Sequence, residues 1–144
     1  MTSWWEKERR VCQVVQYELP GRGRFLVANL HATSCPQNFH LPDVELRRAL
    51  HFVERQSELE EVLIVAGDFN IVREQSEAIA ELMNREPETR WTDVGAHIDH
   101  VLLQRAVAES IRVWTDDERR FEGKLLSDHA PIEVQFAVNR RLGG

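Results

Sequence analysis

The sequence predicts a mixed α+β fold in which amphipathic helices cover a sheet. Three observations carry this. Val62-Leu63-Ile64-Val65-Ala66 is an unbroken apolar run rich in β-branched residues, the pattern of a strand buried on both faces. Residues 41–57 repeat apolar side chains at helical spacing and lead directly into that run. Residues 11–32 hold two strand-like segments around Leu19-Pro20-Gly21-Arg22-Gly23, whose Pro and Gly supply turn chemistry. A chain of 144 residues, 42% hydrophobic and 29% charged, suffices for one domain over 1–144 with its own core.

Taken in order, residues 1–10 are polar apart from Trp4 and Trp5, which read as an anchor onto the body of the fold or as a partner contact. Val11 to Glu18 and Phe25 to Ala32 form the two arms of a β-hairpin. The second arm carries Asn29 and His31 on one side and Leu26, Ala28 and Leu30 on the other. Leu41-Pro42-Asp43 opens a helix, with Asp43 placed to favour its N-terminal dipole. Leu46, Leu50, Val53 and Ser57 form its inner stripe. After the strand from Val62, Glu74 to Met83 reads as a second helix facing the core through Ala78, Ile79 and Leu82. Asn84 to Thr92 reads as loop. Strands follow at Ile98–Leu103, Ser110–Trp114 and Ile132–Val138, with a charged loop from Asp116 to Gly123 and a frayed tail from Asn139.

Charge and composition narrow the function. A net charge of −6 and a pI near 5.5 argue against a surface built wholly for nucleic acid, though not against a local groove. The pairs Arg9-Arg10, Arg47-Arg48, Arg119-Arg120 and Arg140-Arg141 make no continuous stripe. Cys12 and Cys35 form no CxxC and are too few for a disulfide framework, which points to a reducing compartment. No apolar run is long enough for a membrane span, and the first residues have no signal-peptide core, so the expected location is cytoplasmic.

The chemistry concentrates at strand ends. Gly67-Asp68-Phe69-Asn70 closes the buried strand with a carboxylate and a carboxamide two positions apart. Alone, this pair reads equally as an Asx turn or as a site projecting from a rigid strand. His31, Asp99 and the Asp128-His129 pair repeat the arrangement, each an acid or imidazole beside an apolar strand. These are the groups that bind a hard cation and move protons. Carboxylates suit Mg²⁺ or Mn²⁺, and the lack of paired Cys or an HxxxH helix argues against structural zinc. His31 alone reads more simply as a hydrogen-bonded structural imidazole. His40, His51 and His97 receive no role.

In order, Asn29-Leu30-His31, Gly67-Asp68-Phe69-Asn70, Ile98-Asp99-His100 and Ser127-Asp128-His129-Ala130-Pro131 resemble the later motifs of the endonuclease/exonuclease/phosphatase superfamily, the deoxyribonuclease-I-like proteins. The resemblance runs from about Val11 to Val138. It implies a four-layered αββα sandwich of metal-dependent phosphoesterases, acting on nucleic acids or on small or lipid phosphoesters. Carried onto this chain, Asp68 would position or deprotonate the attacking water and Asn70 would hydrogen-bond the phosphate. His129 would act as general base or stabilise transition-state charge, with Asp99 holding its imidazole. Asp128 would be a metal ligand for Mg²⁺ or Mn²⁺, and His31 a phosphate contact. Full members also carry an earlier Asn-bearing strand and a metal-binding Glu, for which Glu6, Glu8 and Glu18 stand in the wrong context. His100 stands where Tyr is frequent. The chain therefore resembles the C-terminal half of the sandwich. Two expectations follow: a hydrolase, or a non-catalytic half-domain that binds a partner or phosphate. A small unrelated α/β domain would leave the ordered motifs unexplained. A half-sandwich would expose an inner sheet face, to be covered by the missing N-terminal half or by a second copy in a homodimer.

Overall fold

The structure is a computed structural model and describes residues 11–138. The Trp4–Trp5 anchor, Glu6, Glu8, the Arg9-Arg10 and Arg140-Arg141 pairs and the frayed tail lie outside the described residues. Among the described residues, nine strands and two helices run in the order β1 (Cys12–Leu19), β2 (Gly23–Leu30), α1 (His40–Gln56), β3 (Val62–Asp68), α2 (Glu77–Met83), β4 (Trp91–Asp93), β5 (Asp99–Gln104), β6 (Ala106–Val113), β7 (Arg120–Phe121), β8 (Lys124–Leu125) and β9 (Ile132–Val138). The main sheet has the order β1-β2-β3-β5-β4; β6 and β9 pair as a second sheet, and β7 and β8 as a small hairpin.

The expected hairpin is β1–β2, antiparallel from Cys12 opposite Leu30 to Leu19 opposite Gly23. β3 then lies parallel to β2, and α1 supplies the crossover that a parallel pair requires. β5 returns antiparallel to β3, with Asp68 directly opposite Asp99. Strand alternation sorts the side chains. Leu26, Ala28, Leu30, Leu63, Val65 and Leu102 meet α1 and α2 through Leu46, Leu50, Val53, Ile79 and Leu82. Phe25, Val62 and Leu103 point the other way, towards Val134 and Phe136 of the second sheet. This is the expected half-sandwich: a helix layer, a main sheet, and a second sheet beyond it. No helix among the described residues is long and apolar enough to cross a membrane.

Several local expectations change. The predicted second helix is split: a 3₁₀ turn at Arg73–Gln75 precedes α2, because Ser76 turns extended and caps Ile79 N–H with its hydroxyl at 3.0 Å. Asp43 serves α2 as well as sitting in the first turn of α1. It is buried and accepts from the Ser76 hydroxyl at 2.6 Å and Ala78 N–H at 3.1 Å. The loop read over Asn84 to Thr92 ends in β4, where buried Trp91 hydrogen-bonds Glu54 at 3.1 Å. The charged loop from Asp116 holds the β7–β8 hairpin, and β6 begins at Ala106, ahead of Ser110. Ser57 forms the C-cap of α1, with its hydroxyl on Glu54 O at 2.8 Å.

The second sheet does not cover the whole inner face. Val15, Tyr17 and Leu19 on β1 and Ile111 and Val113 on β6 remain about half exposed. Between the sheets, Tyr17, Phe25, Val27, Ile64 and Phe136 line an open apolar groove of about 670 Å³, with Arg22 and Glu109 also in its lining.

Candidate active site

The topology brings the four predicted sites to one end of the sheets. β2 and β3 are parallel, so His31 and Asp68 leave at the same end. β5 runs back from that end and starts with Asp99. The loop into β9 delivers Asp128 and His129 there.

Backbone bonds fix the exit of β3. Ala32 N–H donates to Asp68 O at 2.9 Å, and Phe69 N–H to Ile98 O at 3.0 Å. Gly67 has φ +145, and a Cβ there would lie 2.1 Å from Leu30 O, so only glycine permits this contact between β2 and β3. Asn70 N–H donates to Asp68 Oδ1 at 2.9 Å, and Asn70 has φ +50. The turn and the strand-end projection thus coexist. The two side chains meet through an Asx turn, whereas simple extended alternation was expected. Asn70 Nδ2 donates to Ala32 O at 2.8 Å, which leaves its other N–H and Oδ1 for a ligand. Glu45 anchors the segment after His31 to α1, accepting from Thr33 N–H at 2.6 Å and its hydroxyl at 2.7 Å.

Asp68, Asp99 and His129 each place a donor atom within 4.8 Å of the others. His129 Nδ1 lies 3.0 and 2.9 Å from the two Asp99 oxygens, so it donates to that carboxylate and Nε2 turns towards Asp68. Nε2 is 3.8 Å from Asp68 Oδ2, and His31 Nε2 is 3.7 Å from the same oxygen. The hydrogen bond to Asp99 and its charge hold the His129 imidazole above its ordinary value, with Asp68 and Asp128 acting in the same direction. Asp128 itself is exposed and stands outside the three-residue group.

Two carboxylates facing each other across a strand register repel, a cost that a cation between them would remove. The donor set is two carboxylates and an imidazole. Donors around one small hard cation sit about 2.9–4.2 Å apart, given bond lengths of about 2.0–2.1 Å. The 3.8 Å between His129 Nε2 and Asp68 Oδ2 is compatible with that geometry, while Nδ1 is committed to Asp99. Sequence reasoning left Arg73 and Asp93 without a role, yet Asp93 hydrogen-bonds His100 beneath this turn and Arg73 hydrogen-bonds Asp93. The available signal was His100 itself, a polar residue in register with buried Leu102 on the helix-covered face of β5.

No protein-family model and no curated protein matches the chain. Solved structures do, and they show that it has the fold of the endonuclease/exonuclease/phosphatase proteins. The endonuclease/exonuclease/phosphatase of Bacteroides vulgatus superposes with a TM-score of 0.72 at 16% identity, over 96% of this chain and 59% of its own. A humanized D. rerio TDP2 gives 0.70 at 18% identity, over 90% of this chain and 58% of its own. The human Nocturnin catalytic domain, with bound sulfate, gives 0.68 at 17% identity, over 92% and 54%. The chain therefore spans less than two thirds of the length of these structures.

Proposed function

We propose that this chain carries the site of a divalent-metal-dependent phosphoester hydrolase, a nuclease or phosphodiesterase/phosphatase acting by in-line attack of water on phosphorus. The observation that carries the reading is the Asp68–Asp99–His129 cluster at the common end of the sheets. Two of the similar structures support the substrate class: D. rerio TDP2 was solved with a single strand DNA product, and human Nocturnin with sulfate.

Asp68 and Asp99, with His129 beside them, would hold Mg²⁺ or Mn²⁺, and Asp128 would add negative potential or a further oxygen. The ion would offset phosphate charge and lower the pKa of water. Asp68 would orient the attacking water or take its proton. Asn70, pinned to Ala32, offers its free amide hydrogen to a phosphate oxygen. His129 serves as general base or, protonated, steadies transition-state charge. Asp99 fixes its tautomer, and exposed His31 reaches a phosphate oxygen. A positioned proton carrier is typically worth about 10²–10⁴-fold. Hydrolysis of bis-p-nitrophenyl phosphate with Mg²⁺ or Mn²⁺ tests the reading. Turnover should need the metal and fall by about 10² or more in Asp68→Ala and His129→Ala. Metal-independent or absent turnover in the wild type would overturn it.

The alternative, a half-domain that binds without hydrolysis, is favoured by one observation: the cluster offers three donors, where a hard cation takes about six. The uncovered inner face points the same way, to a partner that completes the sandwich. That partner is either the further half carried by the similar structures or a second copy of this chain. Sedimentation showing a monodisperse monomer without bound partner would remove that expectation.

A further inference from the structure

Behind the Asp68–Asn70 turn lies a buried polar group that the proposed chemistry does not touch. His100 is 2% exposed, and its ring stacks on Phe69 with centroids 5.3 Å apart and planes 15° apart. Nδ1 lies 2.9 Å from Asp93 Oδ2, and Nε2 lies 2.8 Å from Ile71 O. Both partners accept, so both ring nitrogens donate. Both Asp93 oxygens are engaged. Oδ2 also takes Arg73 Nε at 2.6 Å, and Oδ1 takes Gly95 N–H at 3.0 Å. Arg73 closes the loop by donating to Gly95 O at 2.8 Å. Gly95 is what lets this loop shut: a Cβ there would lie 2.3 Å from Asp99 O and 2.4 Å from His100 Cα.

The placement matters because Phe69 and Ile71 flank Asn70, and Phe69 follows Asp68. His100 thus grips the turn at two points from below, while its neighbour Asp99 holds His129 from above. One strand, β5, presents the two faces of the site through the ordinary alternation of side chains.

We propose that Asp93, His100 and Arg73 form a buried brace that sets the position of Asp68 and Asn70, with His100 and Asp93 acting as positioning residues for phosphoester hydrolysis. The kinetic part rests on the hydrolase reading; the structural part does not. Catalytic geometry tolerates displacements of only about 0.5 Å, and a shift of about 1 Å can cost about 10²-fold.

The test is His100→Phe, which keeps a ring against Phe69 and removes both hydrogen bonds. In amide NMR, Asp68, Phe69 and Asn70 should shift and exchange faster, while Leu46 and Leu50 in α1 stay unchanged. In the turnover assay kcat should fall about tenfold or more with KM within about threefold. If His100→Phe does not fold, Phe69→Leu carries the same two readouts by removing the stack. A folded variant whose Asn70 amide and kcat match the wild type overturns the brace. Loss confined to KM also overturns it, since a positioning residue acts on the chemical step. A wild type without turnover defeats the hydrolase reading alone, and the amide readout then decides the brace.

Discussion

At the scale of single residues, the site is built from short distances between groups far apart in sequence. His129 and Asp99 are the clearest pair, because the carboxylate both orients the ring and holds its proton. In metal-free protein, replacing Asp99 with Asn should lower the His129 titration midpoint, read from its ring-proton shift as pH is varied. The sign follows from the loss of the negative charge, which leaves a neutral and weaker acceptor for the ring N–H. An unchanged midpoint would mean that the pair is not formed in solution. Asp68, Asn70, Asp99 and His129 were legible as candidates in the sequence because each sits where an apolar run starts or stops. Asp93 was not, because its meaning comes from Arg73 and His100, one 20 residues and the other 7 residues away, across a segment with no periodic pattern. The metal role expected of Asp128 rests on resemblance alone; the chain puts Asp68, Asp99 and His129 together instead.

At the scale of elements, periodicity served long segments and failed short ones. The run from Val62 and the Leu46–Leu50–Val53 stripe identify β3 and α1, whose faces are buried as alternation and helical spacing require. β4 has three residues, too few for any period to register, and Trp91 alone hints at burial. The start of α2 is set by a tertiary contact, from Asp43 in α1, that local sequence cannot carry. Replacing Asp43 with Ala would leave the buried Ser76 hydroxyl and Ala78 N–H without their acceptor. That should cost about 1–3 kcal/mol in urea unfolding. Ser76→Ala, which removes one cap, should cost about 1 kcal/mol. Equal effects would show that Asp43 acts only through Ser76.

At the scale of the molecule, the brace makes stability depend on pH in both directions. Burial opposes charge on His100, but the Asp93 hydrogen bond and the Ile71 carbonyl hold it above its ordinary 6.5. The stabilisation this brings is complete below about 6.5 and is lost as pH rises through the raised value. Burial likewise opposes charge on Asp93, while His100 and Arg73 hold it below 3.8. That contribution is present above about 3.8 and is lost as pH falls through the lowered value. The urea midpoint should therefore be highest between about pH 4 and pH 6.5 and decline on both sides. A midpoint that keeps rising above neutrality would contradict a charged pair in the core.

Asp68 opposite Asp99 sets function against endurance. Holding two carboxylates side by side costs stability, and on the proposed metal-dependent reading a bound cation would relieve that repulsion. Asp68→Asn keeps an oxygen for the Asn70 amide and relieves the repulsion. Without metal, this variant should melt at a higher temperature than the wild type. With saturating Mg²⁺ the order should reverse, since only the intact pair gains from binding. Thermal melting thus becomes a binding assay that reads the site even where no product is formed.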